Sequence, residues 1–136
     1  KYPDTIIIKI YETKPIAILF INNKKYFLDS LSNIIFFDKK KITRDLPNVF
    51  GEGAQKKFLN FFNQLKNYNF PQNRIKNYYY FQIGRWDIQL LNTQLIKFPP
   101  NKVGDAIKKS IEILNREDFK SYNIIDLRIH GKIIVE

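Results

Sequence analysis

The sequence has no cysteine, no methionine, one histidine and five glycines. Without cysteine there is no disulfide framework, no zinc–thiolate site, no iron–sulfur cluster and no thiol nucleophile. This absence does not identify a compartment, because many exported proteins also lack cysteine. The lone His130 sits beside Gly131, and a single imidazole builds no zinc site without cysteines or a carboxylate cluster. No GxSxG occurs, and the four serines stand in no nucleophile arrangement. Gly51-Glu52-Gly53 lacks the GK[ST] of a phosphate loop, and the remaining glycines do not fit GxGxxG, so it reads as a tight turn into a helix. No acidic pair has a spacing suited to acid–base work; Glu112, Glu117 and Asp118 lie among Lys108, Lys109 and Arg116, as exposed helix ion pairs do. The reading is therefore of a protein that is not an enzyme and holds no cofactor or metal. No apolar run reaches the roughly 18 residues of a membrane span, and no signal peptide opens the chain.

What is present is a strongly basic, aromatic-rich chain. The net charge is +10, but 18 Lys stand against 5 Arg, with 22 Ile and 14 Asn. That pattern is expected of AT-rich coding, whereas nucleic-acid contacts favour the bidentate guanidinium of arginine. Twelve Phe, eight Tyr and 44% apolar content supply a core for a chain of 136 residues, enough for one domain or for one domain and part of another. The chain starts at Lys1 and enters a strand at once, so it is expected to be a portion of something longer.

Periodicity predicts the elements. TIIIKIYE at 5–12 and IAILFIN at 16–22 alternate as strands, separated by Pro15. Asn22-Asn23 predicts a hairpin turn into KKYFLDS, and NIIFFD at 33–38 a further short strand. Lys39, Lys40 and Lys41 read as a solvated loop. Ala54, Phe58, Phe61, Phe62 and Leu65 mark one helical face, ending before Pro71. Strands follow at 74–83, at RWDIQLL, where Trp86, Ile88 and Leu90 share a face, and at QLIKF after an Asn92-Thr93 turn. A second helix is expected from Asn101 as N-cap, with Val103, Ala106, Ile107, Ile111 and Leu114 as its apolar stripe. A strand over 123–129, with Ile125, Leu127 and Ile129 on one face, turns at His130-Gly131 into a terminal strand KIIVE. The fold class is α+β: a largely antiparallel sheet with two helices packed against it.

One stretch suggests an alternative function. Residues 74–86 interleave Arg74, Lys76 and Arg85 with Tyr78, Tyr79, Tyr80, Phe81 and Trp86. On a sheet face such a pattern stacks bases, giving a basic nucleic-acid-binding domain.

Four ordered segments resemble the extracytoplasmic part of the FtsQ/DivIB family of bacterial cell division proteins. They are Tyr2-Pro3-Asp4-Thr5 with the Ile run and Glu12-Thr13-Lys14-Pro15-Ile16-Ala17; Leu46-Pro47 with Gly51-Glu52-Gly53-Ala54; Gly84-Arg85-Trp86-Asp87-Ile88-Gln89-Leu90; and Ile125-Asp126-Leu127-Arg128 before a turn and a final apolar strand. The resemblance covers essentially the whole chain. Asn92-Thr93 departs from it, standing where the family has Asn/Asp-Gly. It implies that residues 1–14 are the last strand of a truncated POTRA domain and that 15–136 form the family's β domain.

The resemblance further implies a non-enzymatic scaffold of the divisome, on the periplasmic side of the inner membrane at the division site. The membrane span would lie upstream. The β domain would capture FtsB, itself paired with FtsL, by strand addition at the C-terminal strand. The implied partner-binding residues are Arg128, Ile129, His130, Gly131, Lys132, Ile133, Ile134, Val135 and Glu136, with Arg85 bordering the same surface. Arg128 alternates away from Leu127 and is expected on the outer face, its counterpart an acidic residue of the partner. Proline at position 134 is expected to block binding by deleting a ladder donor.

Overall fold

A computed structural model describes residues 14–136. The strand expected at 5–12 lies outside the described residues, as does all but Lys14 of the segment 1–14 assigned to a preceding domain. Nine strands follow one another: β1 (Pro15–Ile21), β2 (Lys24–Asp29), β3 (Ile34–Phe36), β4 (Asn48–Phe50), β5 (Ile75–Phe81), β6 (Arg85–Leu90), β7 (Leu95–Lys97), β8 (Ile124–Asp126) and β9 (Ile134–Val135). Two helices interrupt them, α1 (Ala54–Asn67) between β4 and β5 and α2 (Val103–Leu114) between β7 and β8. All nine strands join one sheet in the order β3-β2-β1-β4-β5-β6-β7-β8-β9.

The sheet is largely antiparallel, as expected. Five of its junctions are antiparallel; β1/β4, β4/β5 and β7/β8 are parallel. Short turns made the antiparallel junctions legible. The parallel ones arise where a long connection returns the chain to the starting end of the sheet. The β4-α1-β5 and β7-α2-β8 crossovers step the same way from strands of the same polarity. A shared handedness therefore puts both helices on one face.

A single register row crosses all nine strands: Phe36, Tyr26, Leu19, Val49, Tyr78, Ile88, Ile96, Ile125 and Val135. Leu19, Val49, Tyr78, Ile88, Ile96 and Ile125 are fully buried under the helices. Because side chains alternate with period two, this row places the main apolar set on the helix side. The two helices meet it with most of the predicted stripes: Ala54, Phe58, Phe61 and Leu65 from α1, and Ala106, Ile107 and Leu114 from α2, are buried, whereas Phe62, Val103 and Ile111 are half-buried and Ile113, outside the predicted stripe, joins the core. Phe61 stacks on Trp86 at 5.4 Å and 2°, and Phe58 meets Tyr78 edge-on at 4.8 Å. Tyr68, just past α1, presses against Gly104 of α2, and Lys108 lies 5.4 Å above its ring.

Local chemistry explains the joins. Asn22 (φ 49°) and Asn23 (φ 66°) both take the left-handed conformation that a two-residue hairpin turn needs. The second helix departs from expectation. It starts at Val103, and the residue before it is Lys102 at φ 55°, with no side-chain cap, so Asn101 is not the N-cap. Lys39, Lys40 and Lys41 form an exposed 3-10 turn, capped by Asp38 Oδ1 accepting from Lys40 N at 3.0 Å. The segment around it crosses the face away from the helices, with Phe37 over Phe27 at 5.0 Å and Arg44 Nη2 donating to Pro15 O at 3.5 Å.

Gly51 is dictated by both conformation and space. Its φ is 118°, and a Cβ there would collide with the carbonyl oxygen of Tyr80. Gly84 has φ 94° but faces open space. Gly51→Ala is therefore expected to cost about 2–4 kcal/mol and Gly84→Ala about 1 kcal/mol. Urea denaturation followed by Trp86 fluorescence measures both, and equal midpoint shifts would contradict the close-approach argument.

A candidate docking edge at the C-terminal strand

The sheet ends at β9, and among the described residues no strand lies beyond it. Ile124 and Glu136 exchange both backbone bonds, with Glu136 N donating to Ile124 O (3.0 Å) and Ile124 N to Glu136 O (3.2 Å). In an antiparallel ladder such pairs alternate, so Asp126 and Ile134 form the next hydrogen-bonded pair. The N–H of Ile134 is thus directed at β8. The N–H and C=O of Val135, which faces Ile125 in the non-bonded pair, point away from the sheet. Proline at 134 would therefore damage the sheet's own ladder, and the outward donor belongs to Val135.

The implied docking residues take different positions. Ile133 and Val135 are half-buried against the core, while Ile134 is 42% exposed. Strand β8 stops at Asp126, three residues earlier than the alternation suggested. Leu127 still reaches the core, but Ile129 is 51% exposed instead of continuing that face. Ile129, His130, Gly131 and Lys132 form an exposed turn, with Lys132 N donating to Ile129 O at 3.1 Å and Gly131 at φ 78°. Glu136 is exposed but pairs with β8 through its backbone. Beside this turn lies a cleft of about 610 Å³. Pro99, Lys102, Ala106, Lys109, Leu127 and Ile129 line it, so apolar walls carry a cationic rim.

Arg128 is exposed, as expected, but it already has an acidic partner in its own chain. Its Nε donates to Asp126 Oδ1 (2.9 Å) and Oδ2 (3.1 Å), and its Nη2 to Oδ2 (2.7 Å). Arg85 is different. Its Nη1 lies 2.6 Å from Asp87 Oδ1, both side chains are nearly buried, and the guanidinium lies 4.2 Å over the Phe81 ring. Register connects the two arginines. Tyr79, Asp87, Lys97, Asp126 and Ile134 form one row on the face away from the helices. No sequence motif announced this row, because it joins residues up to 55 positions apart in the chain; only strand register reveals it.

The two carboxylates titrate in opposite directions. Arg128's hydrogen bonds hold Asp126 below the usual carboxylate range, against some desolvation. Burial pushes Asp87 up, and the charges of Arg85, Lys97 and Arg128 only partly oppose it.

The aromatic–basic stretch at 74–86 offers no platform for bases. Tyr78 and Trp86 are core residues, and Tyr80 tilts onto Trp86 at 4.9 Å. On the opposite face Tyr79 stacks on Phe50 (5.4 Å) and Phe50 on Phe20 (4.7 Å), so these rings occupy one another's faces. Among the described residues no three His, Asp or Glu side chains come together as a metal site, and no helix is long and apolar enough to cross a membrane.

The sign of each shift is testable by linkage. Asp126 stabilises the fold above the ordinary carboxylate pKa, and that stability is lost as pH falls through its lowered folded value. Asp87 does the reverse, because stability declines as pH rises from the unfolded carboxylate pKa through its raised folded value. Between about pH 2.5 and 6, the stability advantage of the parent chain over Asp126→Asn should grow with pH, and that over Asp87→Asn should shrink. Urea midpoints across this range measure both; parallel curves would contradict the assignment.

Comparison with known proteins agrees with this architecture. Residues 17–128 match the family model for the cell division protein FtsQ/DivIB, C-terminal. The chain is similar to the cell division protein FtsQ of Bartonella bacilliformis, at 32% identity over 98% of the chain and 44% of that protein. It is also similar to FtsQ of Rickettsia typhi, at 32% identity over 100% of the chain and 52% of that protein, and to FtsQ of Rickettsia bellii, at 30% over 100% and 51%. The chain thus spans about half the length of these relatives. It belongs to the FtsQ/DivIB family of cell division proteins, matching the family's C-terminal domain.

Proposed function

We propose that this chain is a non-enzymatic interaction module of the bacterial division machinery. Residues 15–136 form its β domain, and 1–14 carry the last strand of a preceding POTRA domain. The module works on the periplasmic side of the inner membrane at the division site, held there by an upstream span. It captures FtsB, paired with FtsL, by adding an extended segment of that partner to the sheet beside β9.

The observation that carries this reading is the outward N–H and C=O of Val135 on the last strand of the sheet. Unpaired strand edges are templates for another chain. Each backbone bond contributes only about 1 kcal/mol net, so a short ladder needs additional contacts. Exposed Ile134 and Ile129 and the cleft walled by Pro99, Ala106 and Leu127 offer apolar contact beside the edge. Lys102, Lys109, Arg128 and Lys132 around that cleft, against Asp105 alone, favour an acidic segment and speed its encounter.

Two substitutions test the reading by isothermal titration with a periplasmic segment of an FtsB protein. Val135→Pro removes an outward donor without touching the β8 ladder, and should weaken binding roughly tenfold or more while the fold survives. Arg128→Glu should weaken it as well and reduce its salt dependence. Undiminished affinity in both variants rejects edge capture.

A further inference from the structure

We propose that Asp126 is a positioning residue for partner capture: it holds the Arg128 guanidinium in one orientation, with its outer edge presented beside β9. This rests on the docking reading above. Asp126 grips Arg128 by the Nε/Nη2 side only, at 2.7–3.1 Å. A guanidinium has five N–H donors in a rigid fork, so Nη1 and the second N–H of Nη2 remain for another carboxylate. The Arg128 side chain is 42% exposed, so that edge reaches solvent.

The same carboxylate also shapes the backbone. Asp126 Oδ1 accepts from Arg128 N at 3.0 Å, a local turn at the point where β8 stops. One side chain therefore ends the strand and aims the arginine that follows. Rotamer freedom that a free arginine would lose on binding is already lost in the unbound chain, which is how pre-organisation raises affinity.

The surrounding charges fit this role. Arg85, Asp87, Lys97, Asp126 and Arg128 comprise three cations and two carboxylates. Arg85 is consumed by Asp87 in a nearly buried pair, and Lys97 lies between Asp87 and Asp126 in the register row. The set keeps a net positive charge, and its exposed cation is Arg128, on the strand-edge side. A partner carboxylate is the group that completes the set.

The test is a double-mutant cycle on the full 136-residue chain, with the periplasmic segment of an FtsB protein as probe. Asp126→Asn keeps an oxygen for Arg128 N and so keeps the turn, but loses the charged fork. It should raise Kd roughly fivefold in the parent background. In an Arg128→Ala background the same change should leave Kd unaltered, because there is no guanidinium left to aim. A purely structural role would weaken binding equally in both backgrounds, and that result overturns the positioning role while leaving edge capture intact. So does an unchanged Kd for Asp126→Asn in the parent background. No binding by the parent chain overturns both proposals.

Discussion

Everything in this molecule depends on one nine-strand ladder held in register. From Phe36 to Val135, one residue per strand falls in a single row on the helix side, and its neighbours in each strand fall on the other face. A slip of one residue at any junction would turn Leu19, Val49, Tyr78 or Ile88 out of the core. The aromatic packing of Phe58, Phe61 and Trp86 is a consequence of that register, since only a helix-side Trp86 can lie flat on Phe61. An open sheet also has two ends. At one of them β9 leaves the backbone groups of Val135 facing outward.

The same register separates two kinds of chemistry on the two faces. The helix side is apolar throughout its centre. The other face holds an amide chain, with Asn48 Nδ2 donating to Asn77 Oδ1 and Asn77 Nδ2 to Gln89 Oε1, and beyond it the charged row. Asp87 and Asp126 both sit in that row, yet their environments pull them apart. Burial dominates at Asp87, and hydrogen bonding to the ionised form dominates at Asp126. Their arginines differ correspondingly: Arg85 is packed into the fold over Phe81, while Arg128 remains at the surface. Two cations that look equivalent in the sequence are thus a structural group and a presentable one.

Much of the local structure is legible from residue order. The period of apolar residues marks both helices and most strands, because burial on one face demands it. Asn22-Asn23 and the glycine at 51 declare themselves through positive φ, which few residues tolerate. Other features are misread for a physical reason. Leu127 and Ile129 continue the alternation of β8, but Asp126 captures Arg128 N and ends the strand, so Ile129 leaves the core. Lys102 enters the left-handed region just before α2, where Asn101 looked the better cap. Ladder polarity is also invisible in the sequence: Ile134 and Val135 look interchangeable as targets for proline, yet only Val135 directs its N–H outward.

Residue order alone accounts for the absence of thiol chemistry, the apolar stripes and turn positions, and a resemblance, carried by four ordered segments, to the family that comparison establishes. These are properties of single residues and short spacings, which local sterics and burial translate directly. Folding in three dimensions sets which strand is last among the described residues, which N–H groups face out, and that Arg85, Asp87, Lys97, Asp126 and Arg128 form one set. Those facts depend on pairing between distant segments, and chain order does not specify pairing until the whole sheet has closed its hydrogen bonds.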